Sequence, residues 1–405
     1  MRPNFLQFIR PLLFKRQRKK LVLFIFLVAA FIFRLTCWKA VEWLFQVPHI
    51  LTADEIGLSK CPACFGVNTS LCQSILDGEI TVKTNGFWTN EYTKGVMYGR
   101  WKNMEVVVKY LASTSEIAEF DRHICTSAGM NSKLSCDLKS NVWSSFLANE
   151  TSVKKMLYDG MDCTFHRLLQ KIIGTYSKSE KGLTGEEKLY LSTALHLNQE
   201  VILLQVFPKK DGWPFPTFYG ACGRVIVVEN VGKNLKSLDK KPWPVRAKIA
   251  LNLIKLALKL GSGEVEDWVL YLGDPLAENF GVNEKGDVVL LDMEHILVAD
   301  RRQMTKKMNG ATCPDNCPSN KPECLQYSPS DLCNGICRDH NLYALCQGVL
   351  ADMKGRQGLL HSAPGKKLRV KLNQLLQDCV SGENGRREDV MSKIAKNLEN
   401  QIFVN

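Results

Sequence analysis

The sequence lacks the compositional extremes that mark non-globular proteins. Its 405 residues contain only 28 glycines and 15 prolines, with no internal repeat, which excludes a collagen-like chain. Hydrophobic residues make up 45% of the chain and charged residues 23%, and this balance excludes wholesale disorder and a polytopic membrane protein. The length is sufficient for one large domain or two ordinary ones with a core of their own.

Acidic residues are absent from the first twenty positions, whereas seven of those positions are Lys or Arg. Removing these seven cations from the formal net charge of +12 leaves +5 on the remaining 385 residues. The basic excess is therefore a terminal feature, and it indicates membrane topology rather than DNA or RNA binding. We expect no nucleic-acid partner.

Residues 21–33 form an uninterrupted run of thirteen apolar residues directly after two lysines. Arg34 interrupts this run and residues 35–38 extend it, so the segment can span a bilayer if Arg34 snorkels to the far interface. Cations before an apolar run keep the N-terminus cytosolic. We predict a basic cytosolic tail over 1–20, a signal-anchor transmembrane helix over 21–40 and a lumenal remainder. A cleaved signal peptide is the alternative, but no small-x-small cleavage site follows the run.

Fifteen cysteines occur in the chain, and fourteen of them follow Cys37, which lies in the membrane segment. An even number of cysteines in a chain that enters the oxidising pathway predicts a disulfide framework. Sequons begin at Asn68 and Asn149, and both are potential glycosylation sites in that compartment. The cysteines and the sequons thus agree with the predicted lumenal placement.

Two cysteine groups also permit other interpretations. Cys61 and Cys64 have the spacing of a redox pair or of half a zinc site, yet no apolar strand precedes them at residues 56–60. The six cysteines of residues 313–346 stand among prolines, without paired histidines at ligand spacing. We interpret both groups as structural disulfides. A zinc site in the second group and a cysteine-pair oxidoreductase acting through Cys61 and Cys64 are the alternatives.

Hydrophobic periodicity divides the chain into a strand-rich first part and a second part of helices that carry a small hairpin. A turn at Asn85 and Gly86 separates the first two strands. The predicted strands are 79–83, 95–101, 104–109, 200–207, 224–229, 280–282 and 287–292, and the predicted helical segments are 115–124, 153–199, 245–260 and most of the chain after 341.

A set of polar residues surrounds the hairpin at 280–292. Asn279 follows Asp274 by five residues and Asp292 follows Asn279 by thirteen. Phosphoryl transfer from ATP needs one carboxylate that orients the accepting hydroxyl, and an amide and a second carboxylate that hold the metal ions on the phosphates. The spacing therefore predicts Asp274 as the catalytic carboxylate and Asn279 and Asp292 as ligands of Mg²⁺ or Mn²⁺. The competing interpretation is an ordinary surface turn.

Lys109 ends the predicted strand 104–109, whose sequence MEVVVK resembles the strand that carries the phosphate-binding lysine of kinases. We predict that Lys109 positions the ATP phosphates. A carboxylate on the following helix has to hold this lysine. Glu116 and Glu119 are the candidates, and Glu116 is preferred.

The lumenal region resembles the divergent protein kinase domain family, most closely its second subgroup. The similarity spans about residues 55–405, and it is specific because the cysteine segments and the catalytic segments occur in the same order. The segments that carry it are residues 60–66, 212–224, 274–279 and 290–300.

The resemblance implies an α+β, two-lobed protein-kinase-like fold, with an N-lobe over about 78–229 and a C-lobe over about 230–405. It also implies a location in the endoplasmic reticulum or Golgi, or release from cells. Together with the predicted signal anchor, this location gives a single-pass type II membrane protein. The cofactors would be ATP with Mg²⁺ or Mn²⁺, and the acceptor a secretory-pathway or extracellular protein or a glycan. The alternative is a pseudokinase that keeps the fold and acts by binding.

The sequence departs from ordinary kinases at several positions. No G-x-G-x-x-G pattern precedes Lys109, and Leu272 and Gly273 replace the His-Arg pair before the catalytic Asp. Met293 and Glu294 replace the Phe-Gly pair after the metal-binding Asp, and no Ala-Pro-Glu closes the activation segment. In addition, 165 residues separate Lys109 from Asp274 along the chain, which predicts helical insertions between the two.

Overall fold

The computed structural model describes residues 33–34, 48–58, 71–83, 94–127, 163, 166–177, 183–304, 329–336, 338–353, 355–382 and 386–402. The basic tail, most of the 21–40 anchor, both sequons, the Cys61–Cys64 pair and the predicted turn at Asn85 lie outside these ranges. Within them, no helix combines the length and the apolar composition that crossing a bilayer requires. The membrane anchor stays a prediction.

The described residues of the first part of the chain build an antiparallel sheet. Alternating β-branched residues favour its strands, and the predicted strands at 79–83, 95–101, 104–109 and 224–229 are confirmed. The strands are β1 (Pro48–Ile50), β2 (Ile80–Lys83), β3 (Gly95–Trp101), β4 (Met104–Tyr110), β5 (Phe218–Cys222) and β6 (Val225–Glu229). Their order in the sheet is β1-β2-β3-β4-β6-β5.

One face of this sheet packs on residues 51–58 and on helix α1 (Leu71–Leu76), with Ile56, Ile75 and Val108 in the apolar layer between them. The Cys72–Cys222 disulfide joins α1 to β5. The Arg224 guanidinium is buried and donates two hydrogen bonds to the Glu55 carbonyl. These contacts fix the N-terminal segment on the sheet.

The described residues between β4 and β5 include four α-helices, which belong to the predicted helical insertions. They are α2 (Thr114–Ser127), α3 (His166–Tyr176), α4 (Gly185–Leu197) and α5 (Glu200–Val206). The predicted strand at 200–207 is wrong, because this segment forms α5. A short continuous apolar run does not distinguish a strand from a buried helix, and α5 is buried at six of its seven positions.

The second part of the chain surrounds α6 (Trp243–Ser262), which starts at a proline-rich turn and ends at Gly263 in the left-handed conformation. Strand β8 (Trp268–Leu272) pairs with β11 (Ile296–Asp300). A separate small sheet consists of β10 (Val288–Leu290), β9 (Phe280–Val282) and β7 (Lys233–Asn234), in that order. Helices α7 (Pro329–Cys333), α8 (His340–Leu345), α9 (Lys366–Ser381) and α10 (Arg387–Ile402) follow. The predicted α+β architecture is confirmed.

All seven described cysteines are disulfide-bonded. Cys163 pairs with Cys333, and Cys346 pairs with Cys379 across the C-lobe. The disulfide framework predicted from the cysteine count is thus present in the described part of the chain. These cross-links add to stability mainly by restricting the unfolded chain.

Helix α8 supports the strand that leads into the predicted catalytic loop. His340 is fully buried, and its Nε2 donates to the Leu272 carbonyl at 2.9 Å. Asn341 accepts from the Leu272 amide and donates to the Leu270 carbonyl, each at 2.8 Å. The end of β8 is therefore held by two buried polar side chains.

Burial lowers the pKa of His340 to about 4, and the folded state therefore holds the neutral imidazole at pH values above about 4. Because the pKa of an unfolded His is near 6.5, the native state loses about 3 kcal/mol from this group as the pH falls from above 6.5 to below 4. We expect the free energy of unfolding of His340→Gln, which keeps a donor for Leu272, to fall less over this range than that of the wild type. Parallel pH profiles for both proteins, measured by denaturant titration, would contradict this assignment.

Candidate functional site

An ion pair between Lys109 and Glu200 lies at the junction of the two lobes. The Lys109 Nζ is 2.6 Å from both carboxylate oxygens of Glu200 and donates a further hydrogen bond of 3.1 Å to the Leu291 carbonyl. Glu200 is 1% exposed and the Lys109 side chain 13%. Burial raises the pKa of Glu200, the charge of Lys109 opposes this rise, and the charge of Asp292 adds to it.

The positions of Lys109 and Glu200 follow from the geometry of the strand and the helix that carry them. Side chains alternate between the two faces of β4. Val106 and Val108 are buried in the core, whereas Val107 and Lys109 lie on the opposite face and line a cleft between the lobes. Helix α5 begins at Glu200, whose backbone amide donates to the Asn198 Oδ1 at 2.9 Å. The first residue of α5 thereby faces the end of β4.

The expected pairing of Lys109 with Glu116 is wrong. Glu116 lies in the first turn of α2, where its carboxylate accepts from the amide and the hydroxyl of Ser113 at 2.7 Å, and the Ser113 hydroxyl accepts from the Glu116 amide. This is a capping box. Glu116 also pairs with Lys94 at 2.9 Å, and the alternative candidate, Glu119, is exposed.

The predicted catalytic residues are brought together around the β9–β10 hairpin. The Asn279 Nδ2 donates to the Asp274 carbonyl at 2.9 Å and to its Oδ2 at 3.0 Å. The Leu291 amide donates to the Asn279 carbonyl at 2.7 Å, which sets Asp292 beside Asn279. Burial raises the pKa of Asp274, and the hydrogen bond from Asn279 opposes that rise.

The cleft between the lobes has a volume of about 300 Å³, which is the lower end of the range for ligand pockets. Its lining combines apolar side chains with the cation of Lys109, the amide of Asn279 and three carboxylates, which are those of Glu229, Glu278 and Asp292. We call it the interlobe cleft. Its composition suits a ligand that has an apolar ring and anionic groups accompanied by a metal cation.

The residues after Asp292 are held by a hydrogen-bond network. The Glu294 amide donates to the Asp292 Oδ1 at 3.0 Å, and the Glu294 carboxylate accepts from Asn198 at 3.1 Å and from Lys94 at 2.7 Å. The Gln199 side chain donates to the carbonyls of Glu294 and Ile296. Glu294, which replaces a glycine of ordinary kinases, therefore fixes the segment that carries Asp292.

Gly273, which precedes Asp274, has no room for a side chain. A Cβ at this position would lie 2.1 Å from the His295 carbonyl oxygen. The absence of the arginine that ordinary kinases carry here follows from this close backbone approach.

Comparisons with known proteins identify the family of this chain. The family profile described as "Protein-kinase domain of FAM69" matches residues 192–382. Divergent protein kinase domain 2A of Xenopus tropicalis is 31% identical over 393 residues, which cover 88% of this chain and 89% of the relative. The chain belongs to the divergent protein kinase domain family.

Two further members of the divergent protein kinase domain family are similar to this chain over most of their length. Human divergent protein kinase domain 2A is 32% identical over 80% of this chain and 82% of its own length. Human divergent protein kinase domain 2B is 26% identical over 75% of each chain. The resemblance inferred from the sequence is thus confirmed, including its second subgroup.

Glu200 is the site residue that the sequence analysis missed. A single acid at the start of an otherwise apolar buried segment needs a cation as a partner. Asn198, two residues earlier, belongs to a residue type that is favoured at helix starts, and its Oδ1 accepts from the Glu200 amide. Together these two signals identify α5 as the helix that carries the lysine-binding carboxylate of this family member.

Removing Lys109 tests the buried pair. Lys109→Met leaves the Glu200 carboxylate buried without its cation, and we expect the free energy of unfolding to fall by about 3 kcal/mol. Adding Glu200→Gln should restore part of this loss, whereas Glu119→Gln, which removes an exposed carboxylate, should change stability by less than about 0.5 kcal/mol. Strictly additive effects of Lys109→Met and Glu200→Gln in denaturant titrations would contradict the pairing.

Proposed function

We propose that this protein transfers the γ-phosphoryl group of ATP to a hydroxyl acceptor. The observation that carries the proposal is the buried Lys109–Glu200 pair, at a cleft that is also lined by Asn279 and Asp292. Burying an ion pair costs solvation energy that apolar residues of similar volume would not cost. Its presence beside two metal-ligand side chains supports a phosphate site.

The residues of the cleft fit a nucleotide with a divalent cation. Lys109 would bind the phosphates, and the apolar part of the interlobe cleft would take the adenine. The amide nitrogen of Asn279 is used on Asp274, which leaves its Oδ1 for a metal, and Asp292 retains its Oδ2. Within the described ranges, no three His, Cys, Asp or Glu residues are grouped to hold a metal. Mg²⁺ or Mn²⁺ would therefore take its other ligands from phosphate and water.

Asp274 is the catalytic carboxylate of this proposal. It would accept a hydrogen bond from the acceptor hydroxyl and orient its oxygen toward the γ-phosphorus. The oxygen–phosphorus bond forms, the bond from the γ-phosphorus to the bridging oxygen breaks, the hydroxyl proton passes to Asp274, and ADP leaves. The hydrogen bonds from Asn279 would keep Asp274 in position.

We place this activity in the lumen of the endoplasmic reticulum or Golgi, or outside the cell. The predicted signal anchor and the disulfides of the described cysteines support an oxidising compartment. The acceptor would then be a secretory-pathway or extracellular molecule.

Nucleotide binding is the first test. In thermal unfolding of the purified full-length chain, metal-ATP should raise the midpoint of the wild type but not of Asp292→Ala, because only a ligand that prefers the folded state stabilises it. Metal-ATP at one hundred times its dissociation constant should raise the free energy of unfolding by about 2.7 kcal/mol. No shift at millimolar ATP would instead indicate a pseudokinase that acts by binding.

Asp274→Asn separates binding from chemistry. We expect this variant to keep the metal-ATP shift, because the phosphate and metal ligands are unchanged. Its phosphoryl transfer should fall by about 100-fold or more, since the acceptor hydroxyl loses its proton acceptor. Equal transfer rates for Asp274→Asn and the wild type, measured with radiolabelled ATP, would remove Asp274 from the mechanism.

A further inference from the structure

A second cavity adjoins the interlobe cleft on the side of Asp274. It has a volume of about 510 Å³ and lies between the loop after Asp274 and the segment that follows α8. Glu278 lines both cavities, Asp274 lines this second one, and Lys109 and Asp292 line the interlobe cleft. A donor in the cleft and an acceptor in this cavity would meet at the catalytic loop. We call the second cavity the acceptor cavity.

One wall of the acceptor cavity is a buried π-helical turn, Cys346–Leu350. Cys346 is tied to α9 through Cys379. Gly348 packs directly on the catalytic loop, since a Cβ there would lie 2.5 Å from the Pro275 carbonyl oxygen. Turns of this kind occur frequently at functional sites. The wall is thereby fixed relative to Asp274.

Arg356 is held against this wall by its backbone and by its side chain. Its amide and carbonyl exchange hydrogen bonds of 2.9 Å with Met353 in a tight antiparallel bridge. Its Nη2 donates to the carbonyl of Gln347. The guanidinium is therefore placed in the lining of the acceptor cavity with most of its donors still available.

The charge of Arg356 has no carboxylate partner in direct contact among the described residues. The other cation of the cavity, Lys236, pairs with Glu278 at 3.2 Å. Asp352 and Glu278 act on Arg356 only at longer range, and burial lowers its pKa. A half-buried cation without a paired anion is unfavourable, and an anionic ligand would relieve this cost.

We infer that Arg356 binds an acidic side chain of a peptide substrate whose Ser or Thr hydroxyl lies at Asp274. The inference rests on the proposed function and names the acceptor class. The planar guanidinium suits two parallel hydrogen bonds to a carboxylate. Arg356 is thus a specificity-determining residue, and the chemical step at Asp274 is unchanged.

The lining of the acceptor cavity favours a peptide over a glycan. Sugar rings commonly stack their C–H face on an aromatic side chain, and the described lining contains none. Its apolar members are aliphatic, such as Leu235, Leu276 and Val349. Such a surface suits peptide side chains beside the acceptor hydroxyl.

The test compares two fluorescein-labelled Ser peptides, one flanked by Glu and one by Gln, by fluorescence anisotropy on the full-length protein. We expect the wild type to bind the Glu peptide about tenfold more tightly, as for one charge-assisted pair, and Arg356→Gln to lose this preference. Lys240→Gln makes the same change of charge at an exposed residue outside the cavity and should keep it. Arg356→Lys should keep part of the preference.

Each outcome either supports the role of Arg356 in binding an acidic peptide or overturns it. Equal binding of both peptides to the wild type, or equal losses in Arg356→Gln and Lys240→Gln, would overturn the inference. A sulfated oligosaccharide that binds in an Arg356-dependent way while the Glu peptide does not would overturn the peptide assignment. A cooperative unfolding transition verifies that Arg356→Gln is folded. The metal-ATP shift on the same samples reports separately on the proposed function, because peptide binding does not require transfer.

Discussion

The buried contact between Lys109 and Glu200 is the constraint on which the rest of the site depends. A carboxylate that is 1% exposed is stable only with a cation beside it, so α5 has to start where β4 ends. Lys109 also bonds the Leu291 carbonyl, which is adjacent to Asp292. One ammonium group therefore joins the sheet, the helix and the segment that carries the predicted metal ligand.

The residues before Glu200 extend this constraint into the C-lobe. Asn198 reaches the Glu294 carboxylate, and Gln199 reaches the carbonyls on either side of His295. Three successive side chains thus connect one turn of chain to β4 and to the start of β11. Because β11 pairs with β8, the position of α5 also bears on the strand that leads to Asp274.

The sequence revealed the local part of the site and missed its long-range part. Asp274, Asn279 and Asp292 could be found by spacing, since a short hairpin fixes their separation in space as well as along the chain. Lys109 and Glu200 lie 91 residues apart, and no spacing rule spans the inserted helices. Glu116 is the wrong candidate, and the serine three residues before it already indicates a helix cap.

The departures from ordinary kinases change how the segment after Asp292 is held. Gly273 leaves no side chain at the position from which an arginine would reach that segment, and the His295 carbonyl occupies the space instead. Glu294 contributes the contact that a glycine could not make, to Asn198 and Lys94. Asp292 is thus positioned by the Glu294 amide, and Glu294 is itself held by Asn198 and Lys94, so that side chains from three separate elements fix the predicted metal ligand.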